Sequence, residues 1–379
     1  MRKICFVVTS RAQYARNKLL LRLLKNDPDF DLKIVLSGSA LLSKYGEVAE
    51  DLRKEGFDSI DELYVNLEGG NNISMARTTG LSILEFTNAF QRIKPEMVIV
   101  IGDRFEVLAA ATAAAYMNII VIHIEGGDAS GTIDESVRHA ITKLSHIHFA
   151  TNEMSKNRLL RMGENPEYTH NVGSLDIEFL DYVQDLPDLS FVNEVGVGIK
   201  IDINQPFIVV MQHPVTTGED NLINIQATLK AVHGLCVQAV WFWPNADAGE
   251  FVMSRALRIF RESHKSYNIR FITNLPTEEF INLLRKTSCL VGNSSAGIKE
   301  CSFLGLPVVN IGSRQHNRLA ANNVVNTNYD VENIKEAILS QMKHGRYPPS
   351  HIYAQADTSK KIVEILKKAR PPIQKIFFD

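Results

Sequence analysis

Two short segments of this sequence set carboxylates beside glycines in a pattern suited to proton transfer. One is Gly102-Asp103-Arg104, directly after the apolar run Met97 to Ile101. A carboxylate and a guanidinium at the end of a buried strand are costly unless they pair or are used. The other is His123-Ile124-Glu125-Gly126-Gly127-Asp128, which runs on to Thr132, Asp134, Glu135, Arg138 and His139. Paired glycines permit a tight path that brings backbone and carboxylates against a ligand. Asp103, Glu125 and Asp134 are therefore a candidate carboxylate cluster in one cleft. Burial and mutual repulsion would raise some of their pKa values toward neutrality, as acid/base chemistry at pH 7 requires. Plainer readings compete at each position: an ion pair for Gly102-Asp103-Arg104, a helix cap for Asp134, and a satisfied core histidine for His123.

A second group of residues suits an anion. Gly292-Asn293-Ser294-Ser295-Ala296-Gly297 follows an apolar run and precedes the helical stretch Ile298 to Leu304. Consecutive small residues at a helix start offer amides and hydroxyls to a diphosphate, although a capping serine alone would look the same. Glu300 is spaced to accept from ribose hydroxyls, and Arg314 in Gly312-Ser313-Arg314-Gln315 follows the next apolar run. In the first half, Ser10-Arg11-Ala12-Gln13-Tyr14 offers small residues and a guanidinium at another strand-to-helix turn. His213 and Asn245 stand at neighbouring strand ends, placed to donate to a phosphate oxygen or a leaving group, or to be ordinary loop polars. No complete G-x-G-x-x-G or P-loop pattern is present, so no dinucleotide or triphosphate site is expected.

The elements that must position these residues are strands alternating with helices, which implies parallel sheets. Expected strands are Ile4 to Val8, Leu32 to Leu36, Met97 to Ile101, Ile119 to Ile124 and Ile147 to Ala150. A second set comprises Phe207 to Met211, Ala239 to Phe242, Ile269 to Ile272, Cys289 to Val291 and Val308 to Ile311. The polar, Pro187-containing stretch within Gly173 to Asn204 reads as the connection between two doubly wound domains, and 379 residues suffice for two cores. Motifs at strand ends should then converge on the cleft between them. The helix expected over Ser359 to Ala369 fits either domain.

A formal net charge of -2 gives no reason to expect nucleic acid or an anionic membrane as partner. The four cysteines lack zinc spacing and disulfide density, which points to a reducing compartment. The apolar run after Met1 stops at Thr9, too early for a signal peptide, and no run approaches membrane-spanning length, so a cytoplasmic location is expected.

Taken together, Arg11, Gly102-Asp103-Arg104, His123 to Gly127, Ile133 to Leu144, His213-Pro214, Gly292 to Ser295 and Gly312 to Gln315 resemble the hydrolysing UDP-N-acetylglucosamine 2-epimerase family of sialic acid pathways. That family includes the epimerase half of the bifunctional animal enzyme. The resemblance spans essentially the whole chain and implies an α/β fold of two Rossmann-like doubly wound domains facing a cleft, as in GT-B glycosyltransferases. It places the N-terminal domain at 1–175, a nucleotide-binding domain at 176–355, and a helix and tail at 356–379 that cross back to the first domain. It puts Asp103, Glu125, Asp134 and His213 in catalysis. Nucleotide and substrate contacts fall on Arg11, Ala12, Arg104, Asn245, Leu275, Ser294, Ser295, Glu300 and Arg314.

The reaction so implied eliminates UDP from UDP-N-acetylglucosamine to give 2-acetamidoglucal, then hydrates it to free N-acetylmannosamine. No metal or cofactor is implied, and a homodimer or homotetramer is expected. Gln13 and Ala40 depart from the family pattern, which usually has an acid and in many members a histidine there, and bear on the choice of sugar; Ala15, where some members have serine, removes a hydroxyl contact to the nucleotide. The alternatives are the same chemistry on a modified sugar such as UDP-diacetylbacillosamine or on a GDP-sugar, a GT-B glycosyltransferase, and a silent nucleotide-sugar sensor.

Overall fold

The apolar runs form the central strands of two sheets in the computed structural model, which describes residues 1–43, 46–218, 220–264 and 268–379. The first sheet contains β1 (Arg2–Val8), β2 (Phe30–Ser37), β3 (Ile60–Leu63), β4 (Met97–Ile101), β5 (Ile120–Ile124), β6 (Ile147–Ala150) and β7 (Thr169–Asn171). Its order is β3-β2-β1-β4-β5-β6-β7, with every pairing parallel. The second contains β8 (Val197–Gly198), β9 (Phe207–Met211), β10 (Gln238–Phe242), β11 (Ile269–Ile272), β12 (Cys289–Gly292), β13 (Val308–Ile311) and β14 (Val324–Thr327). Its order is β14-β13-β12-β9-β10-β11-β8, parallel except for the short edge strand β8. Helices cover both faces, which is why β4 and β12 are apolar throughout and buried along their whole length.

Strand order reverses between β1 and β4 in one sheet and between β9 and β12 in the other. Chains leaving neighbouring strands at such a point diverge to opposite faces and open a crevice at the carboxyl ends. Ser10-Arg11 follows β1, Gly102-Asp103 follows β4, Gln212-His213 follows β9, and Asn293-Ser294 follows β12. The topology therefore gathers the motifs at two crevices.

Two expectations are corrected. The polar stretch from 173 to 204 is not a plain connection: it begins with the buried helix Leu175–Tyr182. The helical stretch expected over Ile298 to Leu304 is broken into Ser295–Ile298 and Glu300–Phe303, with Lys299 (φ -90, ψ -74) between them. That break coincides with burial of the Lys299 side chain among acids, described below. Edge strands β3, β7, β8 and β14 were not expected, because their residues are polar or half-exposed and carry no continuous apolar run.

The helix Thr358–Lys368 joins the first sheet's core: Ile362, Val363 and Leu366 pack in one cluster with Leu20, Leu21 and Leu24. Its start is pinned where the Thr358 hydroxyl donates to the Val172 carbonyl (2.7 Å) and the Ser359 amide donates to Glu178 (3.0 Å). Among the described residues, no helix is long and apolar enough to cross a membrane.

Candidate active site

Asp103, Glu125 and Asp134 line one cavity of about 160 Å³ between the two sheets. Each reaches it by a different local device. Gly102 takes φ 75, and its amide donates to the Ile124 carbonyl (2.9 Å), which turns the chain sharply off β4. The Gly102 carbonyl accepts from His123 Nε2 (2.8 Å), and the Thr142 hydroxyl lies 3.2 Å from His123 Nδ1, placed to donate to it. A carbonyl can only accept, so Nε2 carries the proton. Burial holds His123 neutral, with its pKa down at about 3. It is a core histidine that braces the Asp103 turn.

Asp103 does not pair with its neighbour Arg104. Its Oδ2 meets Arg138 Nη2, and Arg138 also donates through Nη1 to the Asp128 carbonyl (2.8 Å). Burial alone would raise the Asp103 pKa, but Arg138, Arg318 and Arg314 outweigh it and keep the carboxyl below its ordinary value. Arg104 instead grips Glu106 (3.1 Å) and reaches Asp247 across the cleft (3.2 Å).

Asp134 lies in the first turn of the helix Ile133–Leu144, but the cap is Thr132, whose side chain accepts from the Asp134 amide (3.3 Å). The Asp134 carboxylate is thus left to the cavity. Burial, reinforced by Asp103 and Asp247, pushes it up to about 6. Glu125 has φ 68, a left-handed conformation unfavourable for a residue with a Cβ, held where its amide donates to the Phe149 carbonyl (2.9 Å). Burial raises its pKa, Asp176 adds to the rise, and Lys299, 2.7 Å away, opposes it. Three carboxyls in one cavity thus differ in their readiness to hold a proton, a pattern that suits acid/base division of labour.

A second cavity of about 150 Å³ shares Ala12, Arg16 and Asp176 with the first and adds Arg11, Phe242, Leu275, Phe280 and Glu300. Phe242 and Phe280 meet edge to face at 5.6 Å. Glu300 Oε1 pairs with Arg16 Nη2 (2.9 Å), while its Oε2 is buried without a hydrogen-bond partner. An acceptor left open in this way fits a hydroxyl-bearing ligand.

Ser294 does cap its short helix, accepting from the Ala296 amide (3.3 Å), whereas Ser295 lines the acid cavity with Arg314. His213 is clamped by Asn293, which accepts from its amide (2.7 Å) and donates to its carbonyl (2.9 Å). His213 Nδ1 accepts from the Asn245 amide (3.2 Å), so its proton sits on Nε2; burial and Arg314 hold it neutral, down at about 3. Asn245 Nδ2 donates to Asp247 (2.6 Å), which also attracts Arg314 (3.7 Å). The Arg314 carbonyl accepts from the Gly131 amide (3.0 Å), tying the two halves together beside the cavity.

Sequence reasoning missed Arg16, Asp176, Lys299 and Arg318 as parts of this site. Asp176 had a signal: it stands between Leu175 and Ile177, where an unpaired acid would be costly. Arg16, Lys299 and Arg318 had none, because only the fold brings them to acids distant in sequence. Gln13 also proves more than a lost charge. Its Oε1 accepts from the Thr9 amide (2.8 Å) and its Nε2 donates to the Ile101 carbonyl (3.0 Å), joining the ends of β1 and β4.

A family model described as UDP-N-acetylglucosamine 2-epimerase matches residues 22–367. The chain belongs to the UDP-N-acetylglucosamine 2-epimerase family. It is 35% identical to the UDP-N,N'-diacetylbacillosamine 2-epimerase (hydrolyzing) of Legionella pneumophila, over 97% of this chain and 96% of that one. It is 33% identical to a UDP-N-acetylglucosamine 2-epimerase of Neisseria meningitidis serogroup B, over 94% and 92% of the two chains. In fold it matches the crystal structure of UDP-GlcNAc 2-epimerase from Neisseria meningitidis bound to UDP-GlcNAc, with TM-score 0.78, 21% identity, and coverage of 97% of this chain and 100% of that one. This member of the epimerase family thus has the two-domain α/β architecture of its structural neighbours.

Proposed function

We propose that this enzyme is a hydrolysing 2-epimerase that converts a UDP-2-acetamido sugar and water into UDP and the free 2-epimer. The observation that carries the reading is the convergence of Asp103, Glu125 and Asp134 on one cavity that also receives Ser295 and Arg314 from the second domain. In our reading the first domain is 1–175, the second 176–355, and the chain crosses back after 355.

In the first half-reaction the C2–H bond gives its proton to a carboxylate, and the C1–O bond breaks with its electron pair leaving on UDP. A C1=C2 double bond remains, as in 2-acetamidoglucal. In the second, a carboxylic acid returns a proton to C2 on the opposite face while water adds at C1 and yields a proton to a carboxylate. Glu125 and Asp134, both raised by burial, are suited to gain and lose protons near neutral pH. Asp103, held ionised beside Arg138, stabilises positive charge developing at C1. Arg11, Arg104, Arg314 and the Nε2–H of His213 take the departing diphosphate, and Glu300 takes the ribose. Ala12 and Leu275 border the nucleotide, with Asn245 fixing His213.

N-acetylglucosamine and N,N'-diacetylbacillosamine are the two sugars the relatives favour, and the greater identity to the Legionella enzyme gives the second reading its support. The test is incubation with UDP-N-acetylglucosamine, UDP-diacetylbacillosamine and their GDP counterparts in D₂O, without acceptor. Free sugar with inverted C2, deuterium at C2 and one UDP per turnover is the expected outcome. Product still bound to UDP, or hydrogen retained at C2, overturns the mechanism; no turnover of any member overturns the reading.

A further inference from the structure

Five side chains of alternating charge run from the nucleotide cavity to the acid cavity. Glu300 pairs with Arg16 (2.9 Å), Arg16 with Asp176 (3.4 Å), Asp176 with Lys299 (3.4 Å) and Lys299 with Glu125 (2.7 Å). Lys299 and Glu300 are adjacent in sequence on the second domain, at the break between two short helices, while Arg16 and Glu125 belong to the first domain and Asp176 to the helix Leu175–Tyr182 at the boundary between them. Neither Lys299 nor Asp176 is more than 2% exposed at its side chain. Burying an ammonium there is opposed by desolvation, and Glu125 and Asp176 together keep it charged.

We propose that Lys299 is a positioning residue that fixes the Glu125 carboxyl for proton transfer and links its ionisation to nucleotide seating at Glu300. The proposal rests on the hydrolysing-epimerase reading. Lys299 is the cation paired with Glu125 among the described residues, at 2.7 Å, and the left-handed backbone of Glu125 already limits where its carboxyl can go. Asp176 and Arg16, which also act on Glu125, lie further along the same network, while Asp128 and Arg318 form a separate ion pair (3.0 Å) that acts on it with Tyr353 through space. Because Lys299 and Glu300 are adjacent in sequence, a ribose seated on Glu300 holds the ammonium against Glu125. A purely structural ion pair would instead affect stability and leave the proton affinity of Glu125 without consequence for turnover.

Removing a cation raises the pKa of the carboxyl beside it, so in Lys299→Met the limb of the pH–rate profile governed by Glu125 should move to higher pH, whether Glu125 acts as acid or base. Turnover should fall roughly 10²-fold, the scale of a misplaced catalytic group, while UDP affinity changes less than about threefold. Lys299→Arg should recover much of the rate. A readout independent of turnover is the ¹³C NMR titration of Glu125 in the UDP-bound protein, with its signal identified by loss in Glu125→Gln. It too should shift upward in Lys299→Met. If that variant does not fold, Lys299→Gln, which keeps a donor without the charge, serves the same comparison. An unmoved Glu125 titration overturns the role of Lys299 whatever the activity. Absent turnover of every UDP-sugar by the wild type, with a moved titration, overturns the functional reading and leaves the hold of Lys299 on Glu125 standing.

Discussion

Asp134 is the residue whose environment makes the sharpest demand. Burial, then Asp103 and Asp247, raise its carboxyl from 3.8 to about 6, so the folded protein holds this proton more tightly than the unfolded chain. The stability it contributes is fully present below the ordinary value and is lost as pH rises through about 6. Asp134→Asn should therefore stabilise the protein at pH 8 by about 1–3 kcal/mol and much less at pH 4, as denaturant midpoints at the two pH values would show. The same variant, like Asp103→Asn and Glu125→Gln, should lower kcat by roughly 10²-fold or more, with UDP affinity little changed. Full activity in all three removes the acid cluster from the mechanism. Gln13 makes the opposite case, a residue kept for the fold. Glu at this position would lose the donor to the Ile101 carbonyl and set a carboxylate against it. Gln13→Glu should cost about 1–3 kcal/mol of stability, measurable by chemical denaturation, and no loss would mean the β1–β4 tie is dispensable.

At the scale of elements, the two strand-order reversals do most to form the site, and their central strands were legible because strands buried on both faces read as unbroken apolar runs. The convergence of Asp103 with Glu125 and of His213 with Asn293 followed from that pattern. What was not legible is the break at Lys299, since the run Ile298 to Leu304 has an ordinary helical composition and only the buried acids around Lys299 distinguish it. Arg138 likewise sat inside a readable helix, while its partner Asp103 lies 35 residues away. Ser294 serves both its helix and, in our reading, the diphosphate, so the elements after β12 can be tested for binding and folding separately. Ser294→Ala with Ser295→Ala, and Glu300→Ala, should each weaken UDP binding by about 1–3 kcal/mol in calorimetry. The first should also lose about 1 kcal/mol of stability through the missing cap. Unchanged UDP affinity in the folded variants would move the nucleotide elsewhere.

At the scale of the whole molecule, the two sheets are joined across the cleft by Arg16–Glu300, Lys299–Glu125, Arg104–Asp247 and Arg318–Asp128. Pairs of this kind return little net stability, because desolvation offsets much of their attraction, so the joined state is readily exchanged for another. The cavities they enclose, about 160 and 150 Å³, are each smaller than the 300 Å³ or more typical of a ligand site. In our reading a UDP-sugar enters with the halves apart and then replaces the internal partners: diphosphate for Asp247 on Arg104 and Arg314, ribose beside Arg16 on Glu300. A ligand that contacts both halves only when they are together shifts the population toward the closed form by those differential contacts. Saturating UDP should thus shrink the radius of gyration seen by small-angle scattering. Asp247→Ala, which removes one internal bridge, should expand the protein without nucleotide and leave the UDP-bound profile unchanged. Identical wild-type profiles with and without UDP would mean that the nucleotide enters a fixed cleft, and that these ion pairs are static ties instead of contacts it displaces.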